Sequence, residues 1–269
     1  MLFLARLAYI GYCLAMKTVD LSFIAARLEG LEETIIHRLI DRAQFAANPA
    51  AYDAGTSGFP DAPEKSLFEV RLRYQEEMDA RFGRYSVPEE RPYFRDLPQP
   101  QRSVSLPPNP LVIDDLEQVN VTARIVEVYL AALPELCRDQ SAETDDKQYG
   151  SSVEHDVLAI QAIARRVHFG ALYVAESKYL SNSERFSELI KNDDRAGIEA
   201  LITRPEVEEQ ILRRVAEKVD YIQATANRAV RKVVRSAVVL SIYRDLIIPL
   251  TKLGEISYLR QRVGPPEQR

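Results

Sequence analysis

The sequence is poor in the residues that build disulfide frameworks, metal sites and nucleotide-binding loops. Its 269 residues include two cysteines, three histidines, ten glycines and no tryptophan. The cysteines form no CxxC pair, which favours a reducing compartment, and the histidines show no metal-ligand spacing. The sequence also lacks a Walker loop, a GxGxxG motif and a GxSxG motif. These absences exclude the common nucleotide-binding and esterase classes and predict no metal site.

The chain has no excess of positive charge. Its formal net charge is −5 and its pI is about 5.5, so nothing in the composition predicts a nucleic-acid partner. An apolar content of 46% and a charged content of 28% are ordinary for a soluble globular protein. The length allows a substantial hydrophobic core, in one large domain or two small ones. We expect neither nucleic acid nor a membrane as a partner.

Residues 1–18 form an apolar N-terminal extension of uncertain role. The segment MLFLARLAYIGYCLAMK has no A-x-A cleavage site and is too short to span a membrane. Three interpretations are open: an upstream extension without function, with translation starting at Met16; an additional packed helix; or an export signal. The glycosylation sequon at Asn120 matters only for an exported protein. We expect a cytoplasmic protein.

Apolar residues recur at three- and four-residue steps through most of the chain, and no alternating strand pattern appears. This periodicity predicts an all-α protein without a β-sheet. We expect a single large helical domain with long core helices over residues 19–264, followed by a short tail at 265–269. Within the domain, residues 97–110 are rich in proline and predict an extended connector.

Local signals predict where several helices begin and end. The first long helix is expected from about Asp20 to Ala47, and the second from Ser66 to about Arg84. Thr203 precedes Glu206 by three residues, which predicts a capping box for a later helix. Pro249 lies inside the predicted terminal helix and indicates a kink.

Polar side chains lie on or beside the apolar faces of three predicted helices. Taken singly, each has a simple explanation, such as a pair between Lys178 and Glu176 or between Glu208 and Arg204. Buried charges are unfavourable unless they are paired, so several of them converging from different helices favour a ligand site. The side chains concerned are Arg166, Lys178, Glu208, Thr251 and Glu255.

Several segments together resemble the all-helical chorismate mutases of fungi and plants. They include GLEETIIHRLIDRAQF, RRVHFG followed by VAESKY, TRPEVEEQILRRV, and IIPLTKLGEISYLRQR, and the likeness runs in order from about Leu21 to Arg262. The resemblance implies a dimeric, all-α enzyme without a cofactor. It implies the conversion of chorismate to prephenate in aromatic amino-acid biosynthesis.

The resemblance also implies a role for each polar residue. Arg166 and Thr251 match residues that hold a substrate carboxylate, which suits the charge-assisted bonds of a guanidinium. Lys178 and Glu255 match the two groups that donate to the breaking ether oxygen, and Glu255 does so only when it is protonated. Glu208 matches the glutamate that accepts a hydrogen bond from the ring hydroxyl. The reaction is an intramolecular rearrangement that needs no nucleophile or metal.

Three positions depart from the family pattern. Ala25 stands where the family has an arginine, and Arg27 lies about 200° further around the helix. Twelve residues rather than eleven separate Arg166 from Lys178, which rotates Lys178 by about 100° unless a π-bulge absorbs the extra residue. We expect such a bulge in FGALYVAE, at Gly170. Arg204 replaces a family asparagine, and it supplies the missing guanidinium in one hypothesis. In the other, the pocket has drifted towards another substrate such as isochorismate, or has lost catalysis.

Regulation and partners give two further expectations. The resemblance implies an aromatic amino-acid effector site at the dimer interface, with Arg84, Gly150 and Ser151 matching its pattern. Glu154 replaces a small hydroxyl residue there, so we expect weakened feedback.

A competing interpretation is a helical scaffold protein, because ANRAVRKVVRSAV would place four basic residues on one helical face for an acidic partner or an anionic membrane surface: Arg228, Arg231, Lys232 and Arg235.

Overall fold

The computed structural model describes residues 20–102, 105–137 and 144–262. Over these residues the chain forms ten α-helices and no β-strand, which confirms the predicted all-α fold. The predicted extension at 1–18 and the tail at 265–269 lie outside the described residues. The helices are α1 (Leu21–Arg42), α2 (Leu67–Arg81), α3 (Thr122–Cys137), α4 (Tyr149–Phe169), α5 (Ala175–Ser181), α6 (Ser183–Lys191), α7 (Arg195–Ile202), α8 (Pro205–Gln223), α9 (Ser236–Ile242) and α10 (Ile248–Gln261).

Shorter helical turns and π-helical segments join these helices. Short 3₁₀ turns cover Pro49–Ala51, Arg84–Ser86 and Leu116–Val119, and π-helical segments cover Gly170–Val174 and Tyr243–Ile247. In the connector, residues 97–102 and 105–110 form neither helix nor strand.

Helix α1 has a defined start and ends earlier than its apolar pattern predicts. The Asp20 carboxylate caps it by accepting hydrogen bonds from the backbone N–H groups of Ser22 and Phe23, at 2.9 and 3.0 Å. The helix ends at Arg42 and not near Ala47. The buried Arg42 guanidinium donates to the carbonyl oxygens of Ala46 and Ala47, at 3.0 and 3.2 Å. These contacts stabilise a turn where the sequence pattern would continue the helix.

Helix α4, the π-segment and α5 run without a break through the centre of the protein. This run, Tyr149–Ser181, is long and apolar, and 72% of its most apolar stretch is buried inside the protein. Helices α1, α2, α3 and α10 pack around it. Its length and composition would also suit a membrane span, but here its apolar surface forms the core.

The start of α8 differs from the prediction. Arg204 is its N-cap residue and no side chain caps the helix, so the predicted capping box of Thr203 and Glu206 is wrong. The Thr203 hydroxyl donates instead to the Glu199 carbonyl of the preceding helix, at 2.8 Å. Pro205 occupies the first turn of α8, where its missing N–H costs no hydrogen bond.

The segment between α8 and α9 corrects a second expectation. Residues 224–235 form turns and extended chain, so the basic residues within them share no helical face. Arg231 pairs with Asp41 at 2.6 Å, and Arg235 pairs with Glu135 at 2.9 Å. The structural premise of the scaffold interpretation is therefore wrong. Further on, Pro249 lies in the first turn of α10, directly after the π-helical segment Tyr243–Ile247.

Candidate active site

All six residues expected to contact substrate line a single cavity of about 330 Å³. The cavity lies between α1, the α4–α5 run, the α7–α8 junction and α10, and most of its remaining wall is apolar. Sequence positions up to 89 residues apart therefore converge, as a ligand site requires and isolated surface pairs do not. The six residues are Arg166, Lys178, Arg204, Glu208, Thr251 and Glu255.

The π-helical segment Gly170–Val174 lies where the extra residue was expected to be absorbed, which confirms the predicted bulge. A π-turn takes one residue more than an α-turn, so it offsets the rotation of the helix that follows. Lys178, eight residues after Gly170, consequently faces the same cavity as Arg166. The twelve-residue spacing is thus accommodated by the backbone.

Close packing of the π-segment against α10 depends on glycine. A Cβ at Gly170 would stand 2.9 Å from Thr251 Cγ2, and a Cβ at Gly254 would stand 2.6 Å from the Cβ of Ala171. Because both positions lack a side chain, Thr251 approaches Arg166, whose Nη1 donates to Thr251 Oγ1 at 3.4 Å. The Thr251 hydroxyl itself donates to the Ile247 carbonyl at 2.7 Å, so it must exchange that partner to donate to a ligand.

Arg166 is a buried cation whose hydrogen-bonding capacity is only partly used. Its side chain is 3% exposed, and its Nε has no hydrogen-bond partner within the described residues. The nearest carboxylate, Glu32, lies 4.0 Å from Nη2 and is itself held by Arg214 at 2.7 and 2.9 Å. Burial lowers the pKa of Arg166 below its ordinary value. The guanidinium therefore favours an anionic ligand.

Sequence reasoning missed Glu32 and Arg214, which form an ion pair beside Arg166. Glu32 is completely buried on the apolar face of α1, between Leu28 and Ile36 at four-residue steps. A carboxylate at such a position requires a cationic partner, and this was the available signal. The partner lies 182 residues away on α8, where no sequence pattern identifies it.

Lys178 and Glu255 form a pair at the end of the cavity. Lys178 Nζ lies 2.7 Å from Glu255 Oε2 and also donates to the Ile202 carbonyl at 2.9 Å. The alternative pair with Glu176 is wrong, because Glu176 binds Arg262 at 2.7 Å. Burial raises the pKa of Glu255, and this effect outweighs the opposing attraction of the nearby cations. The pair therefore offers an ammonium donor beside a carboxyl group that protonates readily.

The wall at Ala25 is apolar, as its sequence position implies. Ala25 lines the cavity with Leu21 and Leu28, whereas the Arg27 guanidinium lies over the Phe169 ring at 5.8 Å and does not line it. Arg204 is exposed at the cavity edge, and its guanidinium forms no hydrogen bond or ion pair with any residue that the structure describes. Glu208 pairs with Lys252 at 2.7 Å, so the alternative pair between Glu208 and Arg204 is wrong.

The three residues expected to bind an effector lie apart within one chain. Arg84 is held by Asp79 at 3.0 Å, Glu90 at 3.0 Å and Gln161 at 2.7 Å. Gly150 and Ser151 lie in the first turn of α4, about 16 Å along the helix axis from Gln161. Within one chain, Arg84 and the start of α4 therefore do not meet in a single pocket.

These features define a class of protein. The cavity sets a buried guanidinium, an ammonium group and a readily protonated carboxyl within an all-helical bundle, and no serine, cysteine or histidine is among the described residues that line it. Such a site suits a small dianion whose reaction needs electrostatic stabilisation and no protein nucleophile.

Comparisons with known proteins identify the family. No family model matches the chain. A chorismate mutase of Trichoderma parareesei is 35% identical over 93% of this chain and 96% of its own length, and a chloroplastic chorismate mutase of Petunia hybrida is 36% identical over 86% and 72%. The solved chorismate mutase of Candida albicans, in complex with L-tryptophan, has a TM-score of 0.82 at 32% identity and covers 91% of this chain and 92% of its own. The chain belongs to the chorismate mutase family.

Proposed function

We propose that the protein is a chorismate mutase, an isomerase that converts chorismate to prephenate. The observation that carries this proposal is the buried Arg166 guanidinium in the same cavity as the Lys178–Glu255 pair, with an Nε that no described residue binds. Family membership supports the same activity. Prephenate is a precursor of phenylalanine and tyrosine, so the protein acts in aromatic amino-acid biosynthesis.

The proposed mechanism selects a reactive conformer and stabilises its transition state. Chorismate is a dianion, and Arg166 with Thr251 binds one of its carboxylates. One C–O bond breaks while one C–C bond forms within the same molecule, and negative charge develops on the ether oxygen. Lys178 and protonated Glu255 donate hydrogen bonds to this oxygen, and Glu208 accepts one from the ring hydroxyl. Holding the compact conformer reduces the entropy lost in the reaction.

The test is to mix the purified protein with chorismate, follow the ultraviolet absorbance, and identify the product by chromatography. The expected result is prephenate at a rate far above that of the uncatalysed reaction. Isochorismate, assayed in parallel, tests the alternative that the pocket has changed its substrate. Cleavage of isochorismate together with inert chorismate would contradict the proposal, and so would inertness of both substrates.

Arg204 is proposed to supply the guanidinium that Ala25 lacks. Its support is that Arg204 lines the edge of the substrate cavity at the α7–α8 junction and pairs with no residue in the described part of the chain. We expect Arg204→Gln to raise KM for chorismate about tenfold or more, since it removes a charge-assisted contact. Ala25→Arg in the same variant is expected to restore part of the loss. Unchanged kinetics of Arg204→Gln would contradict this assignment.

The protonation state of Glu255 predicts a pH dependence. Burial raises its pKa, while Lys178, Arg166 and Lys252, which face it from α5, α4 and α10, oppose the rise. Bound dianion adds negative charge and raises this pKa further. Because Glu255 donates only when protonated, kcat is expected to fall as pH rises through the raised pKa. Glu255→Gln keeps a donor at every pH, so its profile should be flat over that range. A wild-type kcat that rises with pH would contradict this role.

A second copy of the chain is the proposed partner. Tyr74, Met78 and Phe82 follow one another at four-residue steps on α2 and the turn after it, and they are 45%, 47% and 79% exposed. An apolar stripe of this kind favours burial against another protein surface. We expect sedimentation velocity to give a homodimer and Met78→Glu to give monomers. A monomeric wild type would contradict the proposal.

Feedback by an aromatic amino acid is proposed for the dimer. Support comes from the Candida albicans relative, whose structure is a complex with L-tryptophan. Arg84 is engaged by two carboxylates and Glu154 is exposed near the start of α4, so we expect weak binding. Titration calorimetry with tryptophan and tyrosine tests this, and micromolar affinity would contradict weakened feedback.

We also propose a cytoplasmic location.

A further inference from the structure

Glu208 is paired with a lysine that the family resemblance did not single out. Lys252 Nζ lies 2.7 Å from Glu208 Oε1, and the two side chains are 27% and 28% exposed. Lys252 belongs to a stripe of α10 in which Ile248, Thr251 and Glu255 also line the cavity, at steps of three and four residues. The ammonium therefore belongs to the wall of the substrate cavity and joins α10 to α8.

Both members of this pair keep hydrogen-bonding capacity for a ligand. An ammonium group has three donors, and the only partner of Lys252 within the described residues is Glu208. Oε1 of Glu208 pairs with Lys252, and Oε2 has no partner among the residues that the structure describes. Within the described residues, the ammonium of Lys252 thus has donors available beside the available acceptor Oε2 of Glu208, and both residues line the substrate cavity.

A hydroxyl group matches this arrangement, because it donates one hydrogen bond and accepts others. An ammonium substituent only donates, so it can donate to Glu208 but offers Lys252 no acceptor and meets its positive charge. A hydrogen atom in the same place would leave Oε2 of Glu208 and the remaining donors of Lys252 without a ligand partner. A site built in this way rejects an analogue without the hydroxyl more strongly than an apolar pocket does.

We propose that Lys252 is a specificity-determining residue, which donates to the oxygen of the substrate's ring hydroxyl while Glu208 accepts the hydroxyl proton. The pair selects a ring hydroxyl over an amino group at the same carbon. This inference rests on the proposed function, since it concerns how chorismate binds in that cavity. It extends the role of Glu208 from a lone acceptor to half of a donor–acceptor pair.

The test compares chorismate with the analogue that carries an amino group in place of the ring hydroxyl. We expect Lys252→Met, which keeps the aliphatic part of the side chain, to lower kcat/KM for chorismate about tenfold to a hundredfold. The loss on the amino analogue should be much smaller, so the ratio of the two kcat/KM values falls. Lys252→Arg retains charge and donors and should restore most of the preference. Lys65→Met is the matched control, because Lys65 pairs with Glu69 on the surface at 3.6 Å.

The outcomes separate this inference from the proposed function. Equal losses on both substrates, with an unchanged melting temperature, would show that Lys252 contributes no hydroxyl contact and would overturn the inference alone. Unchanged kinetics in Lys252→Met would do the same. If the wild type converts neither chorismate nor the amino analogue, the proposed function fails and the inference falls with it. A fall in the ratio of the two kcat/KM values that Lys252→Arg reverses supports the inference, even if Lys252→Met melts at a lower temperature. A fall that Lys252→Arg does not reverse overturns it.

Discussion

Replacing Arg166 by methionine is expected to lower kcat/KM for chorismate by about a thousandfold, or about 4 kcal/mol of transition-state stabilisation. The guanidinium is buried, its Nε has no partner among the described residues, and Glu32 and Thr251 lie 4.0 and 3.4 Å from its terminal nitrogens. Methionine fills similar space without charge or donors. A substrate carboxylate would then be buried against an apolar surface with no donor from residue 166. Steady-state kinetics with chorismate measures the loss.

Arg165 provides the matched control for this prediction. It is the preceding residue of α4, is 39% exposed, and pairs with Glu90 at 3.2 Å outside the cavity. Arg165→Met removes the same charge from the same helix and is expected to change kcat/KM by no more than about twofold, since Arg165 does not line the cavity. Similar losses in the two variants would show that Arg166 acts through net charge or stability and not as a carboxylate ligand.

Replacing Asp156 by alanine is expected to lower the free energy of unfolding by about 3 to 5 kcal/mol. Asp156 and Arg42 are both completely buried and lie 2.7 Å apart, and the hydroxyl groups of Tyr52 and Tyr129 also donate to Asp156. The substitution leaves a buried cation and two phenols without their acceptor. Denaturant unfolding of the full chain measures the change.

Two further variants show whether the buried charge causes this loss. Asp156→Asn keeps an acceptor for the tyrosines but removes the charge, so its loss should be smaller than that of alanine. Asp41→Ala breaks the exposed pair with Arg231 and should change the free energy of unfolding by no more than about 1 kcal/mol. A change below about 1 kcal/mol in Asp156→Ala would contradict the account of this buried cluster.

The fold class and the π-segment were predictable because each depends on spacing along the chain. Apolar residues at three- and four-residue steps determine which face of a helix is buried, and this rule holds wherever the helix packs. The bulge followed from one extra residue between Arg166 and Lys178, since both side chains can face one cavity only if the backbone absorbs it. Convergence of the six site residues in one cavity depends on how different helices pack together, which spacing along the chain does not determine.

Pairings between distant helices were not predictable, and the wrong pairs show why. Glu208 and Arg204 have the spacing of a helical ion pair, but Arg204 is the N-cap residue of α8 and Glu208 turns towards α10. Thr203 has the sequence of a cap, but its hydroxyl reaches the helix before it. Local spacing predicts neighbours within a helix, whereas partners such as Lys252 depend on tertiary packing.

The π-segment Gly170–Val174 turns Lys178 towards the cavity that Arg166 lines, and turnover of chorismate by wild type and Lys178→Met under identical conditions tests whether this forms a working chorismate mutase site. We expect the wild type to form prephenate and the variant to lose at least about a hundredfold in kcat, the usual cost of removing a donor to developing negative charge. Thermal melting of both proteins checks that the variant is folded. A wild type that leaves chorismate unchanged, or a Lys178→Met variant with unaltered kcat, would contradict this expectation.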